Sequence, residues 1–161
     1  MPMIKYSGLK VKKRPAASTI QIFNSFTKAI DYLQNHVNNT NSIDSCTIFT
    51  YGIYVGKNTS NVCYKLLNSL SKRHIATEIY VGDNSNKDLD KRIKEIKDCF
   101  GVKITKYSGH HKLLLFSDGW GYFGSCNFTG GGIGDFIVAG NLYEILNKKD
   151  LEDLIVAISN K

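Results

Sequence analysis

No apolar run in this sequence approaches the roughly 20 residues that a membrane-spanning helix needs. The N-terminal stretch from Met1 to Pro15 carries charge but no apolar h-region, so a secretory signal is not expected. These two absences argue against a membrane partner and set the expectation of a cytoplasmic protein. The four cysteines (Cys46, Cys63, Cys99 and Cys126) form no C-x-x-C pair, which leaves a zinc cluster poorly supported. Without a secretory route disulfides are not expected either, and the four read as small, mostly buried thiols. No internal repeat is visible.

What is present is enough for one core. At 161 residues with 42% apolar content, the chain reads as a single domain far from the composition of disorder. The net charge is +7, from 21 Lys+Arg against 14 Asp+Glu, and a basic balance favours polyanionic partners. Five basic residues (Lys5, Lys10, Lys12, Lys13 and Arg14) fall in the first 16 positions with no acid among them. We read residues 1–17 as a basic arm and 18–161 as the domain. The arm, chiefly Lys10, Lys12, Lys13 and Arg14, either neutralises nucleic-acid phosphates or is simply a solvated tail.

Strand and helix patterns then alternate. A strand is possible over 18–23. Phe26, Ala29, Ile30, Leu33 and Val37 lie on one face of a 3.6-residue period, capped by Asn24 or Ser25. His36, near the end of that helix, is read as a partner of the helix dipole. A strand over 46–55 is followed by a helix burying Val62, Cys63, Leu66, Leu67 and Leu70. A strand over 77–81 precedes a helix with the stripe Leu89, Ile93, Ile96 and Phe100, in which Asp90 and Lys94 are spaced to pair. Strands follow over 102–107, 113–116, 120–124 and 136–139. A last helix, capped by Asp150, buries Leu151, Leu154, Ile155 and Ile158. The expected fold class is α/β: a mixed, mostly parallel sheet with helices on both faces.

The chemistry concentrates between Gly109 and Gly134. In an extended chain residues i and i+2 share a side, so His110 and Lys112 project together and His111 opposes them. A hairpin through Gly119 brings back Gly124-Ser125-Cys126-Asn127, where Ser125 and Asn127 share a face and Cys126 opposes them. An imidazole, an ammonium, a hydroxyl and a carboxamide then converge, a set suited to phosphoryl transfer. Lys112 supplies charge for non-bridging oxygens, and Ser125 and Asn127 donate hydrogen bonds. His110 serves as nucleophile or general acid/base. Asp135 is the nearest downstream carboxylate that can fix its tautomer, approached through Gly130-Gly131-Gly132 and Gly134. The bland alternative is a surface His-His pair, or a metal site with Cys126 or Cys99, for which no ligand set of the right geometry is visible.

These residues resemble the signature of the phospholipase D superfamily: His-x-Lys, four or so residues, Asp, about six residues, Gly-Ser-x-Asn. Here it reads His110-His111-Lys112, Asp118, Gly124-Ser125-Cys126-Asn127, with five residues on either side of Asp118. The match covers the 18 residues from His110 to Asn127. Asp118 is read as structural, supporting the hairpin together with Gly124. Phe128-Thr129, and an acid just before the apolar run Phe136-Ile137-Val138, are similar to the small nuclease branch, in which the acid is commonly Glu and here is Asp135.

The resemblance implies a phospholipase D-like fold and a two-step mechanism through a phosphohistidine, with no metal and no cofactor. One histidine attacks phosphorus, a second protonates the leaving alcohol, and water releases the product. Two copies of the motif are needed and this chain has one: two places beyond His36 stands Asn38, and beyond His74 stands Ala76. A homodimer is therefore implied, with two His110 side chains facing across a twofold axis. The expected activity is a metal-independent phosphodiesterase, an endonuclease on the nucleic-acid backbone, with DNA ahead of RNA. The alternatives are a phospholipase or phosphatidyltransferase on lipid phosphodiesters, or a non-catalytic DNA-binding module.

Overall fold

The computed structural model describes residues 9–15, 17–129 and 134–160. Seven strands form one sheet: β1 (Gln21–Phe23), β2 (Ser45–Thr50), β3 (Ala76–Gly82), β4 (Lys103–Tyr107), β5 (Leu113–Phe116), β6 (Trp120–Gly124) and β7 (Ile137–Asn141). Their spatial order is β1-β7-β6-β5-β2-β3-β4. Among the described residues four α-helices accompany them: α1 (Phe26–Asn38), α2 (Val62–Lys72), α3 (Leu89–Phe100) and α4 (Lys148–Ser159).

The sheet is mixed but not mostly parallel. Only β2–β3 and β3–β4 run parallel, whereas β1–β7, β7–β6, β6–β5 and β5–β2 are antiparallel. The reason lies in the connections. A parallel pair needs a crossover, which α2 and α3 provide, while the short links after Tyr107 permit only antiparallel returns or a jump to a distant neighbour. β5 makes that jump and lands beside β2, with Leu113 opposite Phe49.

Both faces are covered. Ile48, Leu114 and Phe116 pack with α1, α2 and α3 in the larger core, and Phe49, Leu113 and Leu115 pack with Leu151 and Ile158 of α4 in the smaller. Alternation along β2 and β5 divides their side chains between the two. Ser25 Oγ accepts from Lys28 N–H and Asn61 caps α2, whereas α4 is capped by Asn147 and not by Asp150, which lies inside its first turn, and Asp88 before α3 makes no side-chain capping bond. Lys94 pairs with Asp98, and Asp90 pairs instead with Lys106 on β4.

Register defines two edges of the sheet. β2, β3 and β4 end at one of them, where β5 starts and β6 ends (Leu113 opposite Phe123), and where β7 starts and β1 ends (Phe23 opposite Ile137). The N-termini of α1, α2 and α3 open on this same edge. The carboxyl ends of parallel strands are where α/β sheets take their ligands, and helix N-termini there favour anions.

Candidate active site

The His-x-Lys segment precedes β5 on that edge. Lys112 is 1% exposed, and its Nζ donates to the carbonyl of His110 at 3.2 Å. Burial pushes its ammonium below the ordinary value, while a Cys126 charge would push it back up. Cys126 carries no such charge at neutral pH, because burial and the neighbouring Asp135 hold its thiol up at about 12. Desolvation therefore dominates at Lys112, and the cation sits in a poorly hydrated place where it acts strongly on an incoming anion.

His110 is exposed, and its ring stacks on Tyr51 with centroids 4.2 Å apart and planes 23° apart. Tyr51 follows directly on β2, so its ring lies at the strand's carboxyl end. Gly82, ending the neighbouring β3, makes room for it: a Cβ there would collide with the Tyr51 ring and with the carbonyl of Gly109. Asn84 Nδ2 holds the Tyr51 carbonyl at 3.1 Å.

Asn127 is fixed by the same residue. Its Oδ1 accepts the Tyr51 N–H at 3.1 Å, which leaves Nδ2 as the donating end of the carboxamide. The Thr50 hydroxyl lies 3.5 Å from the same oxygen but 2.5 Å from the Gly52 carbonyl, and its single proton goes to the nearer acceptor. Thr50 Oγ1 also accepts Phe128 N–H at 2.8 Å, tying the chain beyond Asn127 to the end of β2.

Tyr51 thus contacts both His110 and Asn127, and Lys112 is tied to the same segment through the His110 carbonyl. Ser125 is engaged with the residue that leads into β7: its N–H donates to the Phe136 carbonyl at 2.9 Å and its Oγ accepts Phe136 N–H at 3.0 Å. Gly124 lies so close to this strand that a Cβ would strike the Phe136 carbonyl. Asp135 Oδ2 accepts the Phe26 N–H at 3.1 Å, the first turn of α1, where a carboxylate suits the helix dipole. Asp135 also meets the Cys126 thiol. His111 turns to the α4 side of the sheet, where its Nδ1 lies 3.2 Å from the Tyr107 hydroxyl and its ring meets Phe49 edge-on. Burial holds the Tyr107 phenol up at about 12, so it stays protonated.

Asp118 lies at the opposite edge. Its Oδ2 is 2.6 Å from His36 Nε2, its Oδ1 accepts Trp120 N–H at 3.1 Å, and His36 stacks on Trp120 at 3.8 Å. His36 therefore has a side-chain partner in the turn between β5 and β6. The basic segment lies at that opposite edge too: Lys12 N–H donates to the Ile145 carbonyl, Asn147 N–H to the Lys10 carbonyl, and Lys12 Nζ to the Tyr143 carbonyl. Lys10 and Lys12 are thus not brought to His110, and Lys13 and Arg14 are exposed beside them. Lys5 and Gly130-Gly131-Gly132 lie outside the described residues. Among the described residues no group of three His, Cys, Asp or Glu side chains is placed to hold a metal ion.

Sequence reasoning missed Tyr51, Thr50 and Asn84. Tyr51 was hidden inside an expected strand over 46–55, which in fact ends at Thr50. The one available signal was its place at the carboxyl end of a βαβ strand.

No family model matches the sequence, and no curated protein matches it. Among solved structures the chain is similar to polyphosphate kinase from Porphyromonas gingivalis, with a TM-score of 0.62 at 11% identity, covering 88% of this chain and 26% of the kinase. It also matches TrmBL2, an archaeal chromatin protein, with a TM-score of 0.49 at 9% identity, covering 81% of this chain and 48% of that one. The chain spans about a quarter of the kinase's length. At such identity the likeness is one of fold alone, a mixed α/β sheet flanked by helices.

Proposed function

We propose that the protein is a metal-independent phosphodiesterase that cleaves the nucleic-acid backbone, with its active site completed by a second copy of the chain. The observation that carries this reading is the exposed His110 imidazole stacked on Tyr51, with the buried Lys112 ammonium bonded to the His110 carbonyl and the Asn127 carboxamide held by the same tyrosine.

His110 attacks phosphorus, a P–N bond forms and the P–O bond to the leaving group breaks. Lys112 and Asn127 Nδ2 bind the non-bridging oxygens as charge gathers there. The leaving oxygen takes a proton from a second imidazole. Water then attacks the phosphohistidine, giving its proton to the second imidazole and freeing His110. Within one chain no other histidine serves as that second imidazole. His36 is paired with Asp118 at the far edge, His74 lies in the turn leading into β3 at that edge, and His111 is bonded to Tyr107 on the α4 side. A partner's His110 fills the role.

Nucleic acid is favoured as substrate by the net charge of +7. Among the described residues no helix is long and apolar enough to cross a membrane. The test is cleavage of plasmid DNA, single-stranded DNA and RNA in EDTA. Wild type is expected to cut, and His110→Ala to lose at least about a thousandfold in rate. Cleavage that stops in EDTA, or that survives in His110→Ala, refutes the reading.

A further inference from the structure

We propose that the groove between the loop after β2 and helix α3 guides an unpaired nucleic-acid strand to His110. This rests on the nuclease reading for its connection to the chemistry, but the surface has its own signature. Tyr54 is 48% exposed, and the Arg92 guanidinium lies over its ring, 5.5 Å from the centroid. Arg92 Nη1 also donates to the Ile53 carbonyl at 3.3 Å, so the cation is fixed to the loop it covers. Beside this pair is a cavity of about 240 Å³, lined among others by Lys57 and Lys91 and by the carboxylates of Asp88 and Glu95. A second hollow, lined by Lys57, Asn58, Ser60 and Asn61, shares Tyr54 and Lys57 with it.

An exposed aromatic ring set among cations is a stacking platform for bases with charge for the backbone. Stacking of this kind requires a base whose face is open. In a duplex the faces are taken by neighbouring pairs, so the platform selects an unpaired strand. The two carboxylates temper the charge of the three cations and offer acceptors to base amino groups, which a surface for bare phosphates would not need.

The groove joins the site directly. Ile53 bridges Phe128, and Tyr54 N–H donates to the Phe128 carbonyl at 3.1 Å, one residue beyond Asn127. Tyr51, under His110, is three residues before Tyr54, at most roughly 11 Å of chain. A strand stacked on Tyr54 therefore reaches His110 within a few nucleotides. The segment carrying Lys10 and Lys12 lies on the other edge and does not flank this path.

The experiment is fluorescence anisotropy with labelled oligothymidylate, oligouridylate and a hairpin duplex, using His110→Ala as the host so that cleavage does not intrude. Tyr54→Ala in that host is expected to weaken binding of at least one single strand by roughly tenfold or more, with Tyr54→Phe close to the host. Lys57→Ala should lower the salt slope of single-strand binding by about one. The duplex should bind more weakly and ignore Tyr54→Ala. Single-strand affinities unmoved by Tyr54→Ala, or a duplex affinity that falls equally, overturn the track. The readout is binding alone: if Tyr54-dependent binding appears but wild type cuts nothing in EDTA, the track stands and the nuclease reading falls.

Discussion

Lys112 is a cation kept where a neutral side chain would be more stable. Its desolvation is the leading cause of its lowered pKa, and among the described residues its ammonium bonds to the His110 carbonyl. Replacing it by methionine, which has a similar shape and no charge, is expected to stabilise the fold by about 1–4 kcal/mol while abolishing cleavage. At this chain length each kcal/mol moves Tm by about 2–4 °C. The gain depends on pH with a definite sign. Because the folded-state pKa lies below the ordinary 10.5, between the two values the unfolded chain binds more protons than the folded one. Wild-type stability thus rises with pH across that window, and the burial cost is fully present below the folded value. The advantage of Lys112→Met should be greatest near neutrality and shrink as pH climbs toward 10.5. Thermal melts of both proteins across neutral to alkaline pH check this. A variant that melts below wild type at pH 7 shows that the buried charge is better compensated than its surroundings indicate.

The hairpin β5–β6 is held differently at its two ends. At the site end it is tied to β2 by Asn127 and Thr50, and at the turn it is tied to α1 by Asp118 and His36. Asp118→Ala removes both the His36 contact and the acceptor of Trp120 N–H, so a loss of about 1–3 kcal/mol is expected. The cleavage rate well below Tm should stay near wild type, because Asp118 lies at the far edge from His110. Melting curves and initial rates on the same preparation test the pair of outcomes. A rate that falls with stability intact would place Asp118 in the chemistry.

The same hairpin shows which parts of the fold were legible. Apolar Leu113–Phe116, a turn at Gly119 and the return from Trp120 are local signals, and they appear as β5 and β6. The amphipathic stripes of α1, α2 and α3 are local too, and each carries its expected buried face, save that Val62 of α2 is only half-buried. Strand direction is less visible. The sheet was expected to be mostly parallel because helices separate the early strands, yet β5 pairs antiparallel with β2 across more than sixty residues of sequence. No periodicity encodes such a partner. At the site, spacing in the sequence separated His110 from His111, but it carried no trace of the ring beneath His110. Tyr51 reaches that place through the packing of β2 against β5 and the space left by Gly82.

At the scale of the whole molecule, the proposed mechanism requires two exposed imidazoles and the chain supplies one at the site edge. This makes the stoichiometry of His110 measurable without a structure of the assembly. If each site draws one His110 from each of two copies, a mixed pair of wild type and His110→Ala has one imidazole and no complete site. Wild type refolded with an equal amount of His110→Ala then forms roughly a quarter wild-type pairs, and activity should fall to about a quarter of the unmixed value at the same total protein. A chain that works alone would retain about half. Further dilution with the variant separates the two cases more widely, since paired sites fall with the square of the wild-type fraction and independent sites in proportion to it. Sedimentation of the mixtures supplies the control, because a square law has the proposed meaning only if pairs are present at the assay concentration. A proportional decline in a preparation that sediments as pairs would mean that one chain holds both acid and nucleophile, and the search for the second proton donor would return to residues around His110 itself.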